Sequence, residues 1–163
     1  MLNKFLIIFV IILNNFFLYY AYSDDQINFD ISQIEVLEEG NKIIGKKRGT
    51  ITTNDGVIIN ADEFEYDKLK NLLKAKGNIT VNDEANNYII NSENILYLKD
   101  QEKIQIKGKS SSLIFSNYNF KSENIIIFRD KLILEANKPT IIIDKKNQTL
   151  YEIDKLSYSI KDE

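Results

Sequence analysis

Four acidic residues, Asp62, Glu93, Glu123 and Asp154, recur along the chain about 30 residues apart, and each stands just before an apolar run. Hard cations take several carboxylates converging on one point, and glycoside cleavage takes a carboxylate pair. The series is therefore where metal or acid–base chemistry could sit. Equivalent residues of a stacked repeat, however, lie along the stack and do not converge. A corner or bulge at the small residues Ala61, Ser92 and Ser122 would break the alternation of a strand and turn each carboxylate outward. That structural role is the one expected.

The rest of the catalytic inventory is short. The chain contains no His and no Cys, which removes the usual zinc ligands, the Cys and Ser-His nucleophiles and any disulfide framework. Carboxylates, Lys, Tyr and Ser remain, with no motif to organise them, so no enzymatic activity, cofactor or metal is expected. A net charge of −3 with interspersed signs supplies no basic face of the kind that neutralises phosphates, and nucleic acid is excluded as a partner. The basic cluster Lys46-Lys47-Arg48 reads as a solvated strand end or turn, with contact to an anionic head group as the alternative.

The elements that must position these residues are strands. With 44% hydrophobic and 28% charged residues over 163 positions, the chain can bury one core, and a single domain is expected over residues 24–163. It is preceded by a targeting segment. Lys4, the apolar run Phe5 to Leu13, Phe16 to Tyr20 and the small-residue site Ala21-Tyr22-Ser23 have the layout of a secretory signal peptide, residues 1–23, cleaved after Ser23. The competing reading is an uncleaved anchor through residues 5–20, because a spanning helix needs about 20 apolar residues. Both place the remainder outside the cytoplasm.

Beyond Asp24 apolar and polar residues alternate over short runs, as in Lys103-Ile104-Gln105-Ile106-Lys107. Around the acidic positions the runs repeat: Ile59-Asn60-Ala61-Asp62-Glu63-Phe64-Glu65-Tyr66 returns as Ile90 to Tyr97, as Phe120 to Ile127, and more weakly as Tyr151 to Tyr158. Polar turns (Asp67 to Asn71, Lys99 to Glu102, Arg129-Asp130) follow the first three copies, and then a return strand, so the unit is a β-hairpin. In the first return strand Leu73, Ala75, Gly77, Ile79 and Val81 share one face, and Lys74, Lys76, Asn78 and Thr80 share the other. Stacked hairpins align Phe64, Ile95, Ile125 and Leu156 in one apolar column, and Tyr66, Tyr97, Ile127 and Tyr158 in a second. A weaker copy upstream includes Phe29, and Asn54-Asp55-Gly56 supplies a hairpin turn. A sheet with one apolar face and no helices must fold on itself or close. Its interior is then either a packed core or a groove for something apolar.

The block from Gly56 to Val81 resembles the OstA-like lipopolysaccharide-transport family. The shared features are Ala61-Asp62 entering the aromatic strand Phe64 to Tyr66, a polar turn with Asn71, and a return ending in Ala75-Lys76-Gly77-Asn78 before Ile79-Thr80-Val81. The family takes in periplasmic bridge proteins, the N-terminal domain of an outer-membrane protein, and anchored members with the same fold. The resemblance implies an all-β fold, an open twisted β-jelly roll of repeated antiparallel hairpins. It implies a non-enzymatic periplasmic module, associated with the outer membrane or anchored at the inner one, that shields the acyl chains of lipopolysaccharide and helps deliver it to the outer membrane. The groove would be lined by Phe29, Phe64, Tyr66, Leu73, Ile79, Ile95, Tyr97, Ile104, Ile106, Ile125, Ile127, Leu156 and Tyr158. Its expected partners are lipopolysaccharide and other OstA-like subunits joined edge to edge by strand pairing. The chain then reads as a free module or an N-terminal fragment. The alternative is a structural or adhesive β-repeat protein with a closed core.

Overall fold

A computed structural model describes residues 27–160. The expected signal at 1–23, and the anchor through 5–20, lie outside the described residues. Among the described residues no helix is long and apolar enough to cross a membrane.

The described chain forms one antiparallel sheet of fourteen strands: β1 (Asn28–Leu37), β2 (Lys42–Thr52), β3 (Ile58–Ala61), β4 (Glu63–Asp67), β5 (Leu72–Asp83), β6 (Tyr88–Leu98), β7 (Lys103–Lys107), β8 (Ser112–Phe115), β9 (Tyr118–Ser122), β10 (Asn124–Phe128), β11 (Ile133–Ala136), β12 (Thr140–Asp144), β13 (Thr149–Ile153) and β14 (Leu156–Ser159). The only proline, Pro139, falls between β11 and β12, where it interrupts no ladder.

The sheet folds into two facing layers. The first runs β1-β2-β3-β5-β6-β8-β9-β12-β13 and the second β1-β2-β4-β5-β6-β7-β10-β11-β14. Strands β1, β2, β5 and β6 are long enough to pass through both layers, and the register shifts where β1 and β5 cross, between Ile31 and Gln33 and between Lys76 and Ile79. Those crossings form the corner of the jelly roll. At the opposite side the hairpin turns of the two layers face each other across a mouth.

The corner is where the repeated small and acidic residues act. Ala61 and Phe64 both point inward although three positions apart, and the same spacing separates Ser92 from Ile95 and Ser122 from Ile125, all six buried. Strict alternation would forbid this, and the acidic residue between them absorbs the change of phase. Gly77 corrects the sequence reading: it does not sit on the apolar face but in the bulge of β5, at φ +76°, with Asn78 also left-handed. A Cβ on Gly77 would lie 2.6 Å from the Asp62 carboxylate, so the acidic residue of one strand packs on the bare backbone of the next. Glu93 meets Gly108 in the same way. The Lys46-Lys47-Arg48 cluster is exposed, yet it lies inside β2 at this corner and not at a strand end or turn.

The turns of the second layer are tied into a staircase. Lys99 N–H donates to Asn71 O at 3.0 Å, Arg129 N–H to Glu102 O at 2.8 Å, and Ile160 N–H to Leu132 O at 2.7 Å. The acceptors Asn71, Glu102 and Leu132 all adopt left-handed backbone, which aims each carbonyl at the next turn.

Candidate functional site

The space between the layers is the feature the whole repeat builds. In the second layer, neighbouring strands place Phe64, Ala75, Ile95, Ile106, Ile125, Ala136 and Leu156 in one row, and Ile43, Tyr66, Leu73, Tyr97, Ile104, Ile127, Leu134 and Tyr158 in the next. Facing them, the first layer contributes Phe29, Ile51, Ile59, Val81, Ile90, Leu113, Phe120, Ile142 and Tyr151. All thirteen residues expected to line a groove fall in this interior. Phe64, Tyr66, Leu73, Ile79, Ile95, Tyr97, Ile104, Ile106, Ile125 and Ile127 are buried in it, and Phe29, Leu156 and Tyr158 pack against it half-buried.

Among the described residues the interior is packed in the middle, and its inward-facing apolar positions become exposed toward the two edges of the sheet. Among the described residues, the edge strands β1, β13 and β14 each pair on one side only. On β1, Ile34 and Val36 share the inward rows of Gly45 and Ile43, yet 44% and 59% of their surfaces are exposed. On β13, Tyr151 is opposite the inward-facing Ile142 and is 47% exposed. Apolar surface in the line of the core therefore continues to both ends.

Along the mouth, described contacts between the two layers include an aromatic one toward each end and a polar one between them. Near the β1 end the ring of Phe29 lies 6.1 Å from that of Tyr66. Near the β14 end Tyr158 contacts Phe120 at 5.1 Å and Tyr118 at 6.1 Å between ring centroids. Between them the contact is polar and centres on Arg129, which continues the inward phase of Ile125 and Ile127. Its Nη1 donates to Glu102 Oε2 at 2.9 Å and to the Tyr97 hydroxyl at 3.1 Å, both in the second layer. Its Nη2 reaches Asp83 at 3.4 Å and also Asp55, both in the first layer. The guanidinium stands 5.7 Å from the centroid of the Tyr97 ring.

Arg129 has a side chain only 10% exposed, and that of Asp83 is 1% exposed. Burial works against the charge of Arg129, but the hydrogen bond it donates to Asp55 and the surrounding groups raise its pKa above the ordinary value. Burial likewise works to raise Asp55, and hydrogen bonds from Thr53 and Arg129 outweigh it, holding the carboxyl below its usual range. Burial pushes the Tyr97 hydroxyl up to about 12, and that of Tyr88 higher still. Asp83 is also held from its own turn, where its Oδ1 accepts from Asn86 N–H at 3.0 Å.

This cluster was not found in the sequence, where Arg129-Asp130 reads as a polar turn. A charged residue in phase with Ile125 and Ile127 was the available signal. The acidic series behaves differently. Glu93, Glu123 and Asp154 are exposed and Asp62 is half-buried, with Asp62 accepting from Arg48 at 3.1 Å and from Asn78 Nδ2 at 2.6 Å. Among the described residues no group of three His, Cys, Asp or Glu is placed to hold a metal ion.

A separate cavity of about 480 Å³ opens on the outer side of the second layer, where Ile44 and Leu96 lie among Lys46, Glu65, Lys74 and Gln105. Three of its charged lining residues are paired: Lys74 lies 3.1 Å from Glu65, which Lys42 approaches to 3.3 Å, and Lys46 lies 2.7 Å from Glu35.

No protein-family model and no curated protein matches this chain. Solved structures do match. Among them is LptH from Pseudomonas aeruginosa, described as the LptA homologous periplasmic component of the conserved lipopolysaccharide transport device, at 11% sequence identity and a TM-score of 0.56. The match covers 78% of this chain and 82% of that one. At that identity the likeness is one of fold: the chain has the all-β, LptA-like jelly-roll architecture.

Proposed function

We propose that this chain is a non-enzymatic periplasmic module that takes the acyl chains of lipopolysaccharide between its two layers and helps pass the lipid toward the outer membrane. The observation that carries the reading is the continuation of inward-facing apolar surface to both open ends, through Ile34 and Val36 on β1 and Tyr151 on β13. Acyl chains leaving water for such a surface gain about 0.8 kcal/mol per CH₂. Half-paired edge strands at the same ends can accept strands of neighbouring OstA-like subunits, which would join one interior to the next. The fold shared with LptH supports the reading at the level of architecture. In this proposal the thirteen interior residues from Phe29 to Tyr158 named above are the lipid contacts.

A photo-crosslinking amino acid at Val36 or Tyr158, on inward positions that remain partly open, is expected to capture lipopolysaccharide in intact Gram-negative cells. The same probe at Lys74 or Gln105, on the outer side, should give no adduct. Equal labelling on both sides would sink the proposal. A second reading, a structural or adhesive β-repeat with a closed core, is favoured by the full burial of Ile106, Ile125, Ile127 and Leu134. It is the one supported if a folded protein gives no lipid adduct at either inward position.

A further inference from the structure

We propose that Arg129 is a latch that holds the middle of the mouth shut, and that acyl chains entering from the open ends must release it. The second clause rests on the lipid reading above; the latch itself does not. Three observations converge on it. Arg129 projects from the second layer in phase with the apolar interior, and its partners divide between the layers: Glu102 and Tyr97 hold it at home, while Asp55 and Asp83 receive it across the mouth. The contacts flanking it, Phe29 with Tyr66 and Tyr158 with Phe120, are ring against ring, so an acyl chain can replace the ring faces in kind. It cannot replace a guanidinium–carboxylate pair, which must separate and be rehydrated before the layers part there.

The closed arrangement is also incompletely satisfied. Arg129 Nε is buried with no hydrogen-bond partner among the described residues, and it would meet water when the mouth opens. A buried polar group without a partner carries a desolvation penalty. That penalty sets the closed state nearer in free energy to the open one than a fully bonded network would. The same residue therefore closes the interior and keeps it openable.

The absence of cysteine from the chain makes the test direct. Spin labels on Glu84→Cys and Asp130→Cys, two exposed positions beside Asp83 and Arg129 on opposite sides of the mouth, report its width by pulsed electron paramagnetic resonance. The native protein is expected to give one narrow distance. Arg129→Met should shift and broaden it, changing the ratio of closed to open molecules roughly tenfold or more. Arg129→Lys, which keeps a cross-layer charge, should restore much of the closed population. Lipopolysaccharide added to the native protein should move the distance in the same direction as Arg129→Met.

If Arg129→Met folds and its distance distribution coincides with the native one, the latch is overturned whatever the lipid does. A mouth that widens in the variant, in a protein that captures no fluorescent lipopolysaccharide in either form, supports the latch and removes the lipid reading. Lipid bound to the native protein with the narrow distance retained overturns the release step. Should Arg129→Met fail to fold, Asp55→Asn removes one cross-mouth partner from an exposed turn and must shift the distance the same way; no shift overturns the proposal.

Discussion

The corner and the mouth of this jelly roll each hold an arginine–aspartate pair, and the two pairs differ in everything but chemistry. At the corner Arg48 and Asp62 meet at 3.1 Å with side chains 54% and 39% exposed. Four strands already join the layers there, so the pair only trims a connection the backbone makes. At the mouth, among the described residues, nothing covalent joins the layers. Side chains alone close it, and the buried Arg129 cluster takes the central position. An ion pair in water contributes about 0 to 1 kcal/mol because solvent screens it and competes for both partners. A buried one is held by the penalty of leaving either partner alone. Location, more than distance, decides what such a pair does.

Breaking one pair at a time sharpens the contrast. Arg129→Met strands Asp83 in the interior without its cation and is expected to cost about 3 to 5 kcal/mol in urea unfolding. Arg48→Met should cost no more than about 1 kcal/mol. Equal losses from the two substitutions would show that the mouth contributes no more than the surface does.

The corner has its own vulnerable point in the backbone. Gly77→Ala places a Cβ 2.6 Å from the Asp62 carboxylate in a left-handed conformation, and a loss of about 1 to 3 kcal/mol is expected. Adding Asp62→Ala should return part of that loss, leaving the conformational share; a double-mutant cycle with no coupling would refute the contact as its cause.

The smallest effect is in alkali. The pKa of Tyr97 rises from 10.0 to about 12 on folding, chiefly through burial. A group raised in this way contributes stability that is complete below its unfolded value and is lost as pH climbs through the folded one. Stability should therefore decline between about pH 10 and 12, and Tyr97→Phe should lessen that decline, leaving the share of the more deeply buried Tyr88. Near-ultraviolet absorbance titration alongside unfolding measurements checks both.

Much of the corner was legible in the sequence because its causes are local. The three-residue step from Ala61 to Phe64, repeated at Ser92–Ile95 and Ser122–Ile125, signals a break in alternation wherever a small and an acidic residue stand together. The inward columns follow from simple period-two counting on either side of that break. The exact alternation drawn through Gly77 failed because a bulge adds a residue to β5 without changing the facing of Ile79, so both arrangements fit the same apolar pattern. Leu132 adopts left-handed backbone without being glycine or asparagine; the turn staircase imposes it, and no residue type announces it. Arg129 escaped for a different reason. Its cross-mouth partners Asp55 and Asp83 lie 74 and 46 residues away in sequence, and only the folding of one layer onto the other brings them within reach.

The way β1 crosses the corner has a consequence for assemblies. At one end of the molecule a single strand borders both layers; at the other, the border is divided between β13 and β14, with Asp154 and Lys155 between them. The two ends are therefore unlike, and a row of copies joined end to end would have a head and a tail. A neighbour docking on β1 would grip both layers through one continuous backbone, so the angle between them in one subunit would be mechanically tied to the next. A neighbour docking on the other end could hold either layer alone. Any column built from this fold is polar before a lipid enters it.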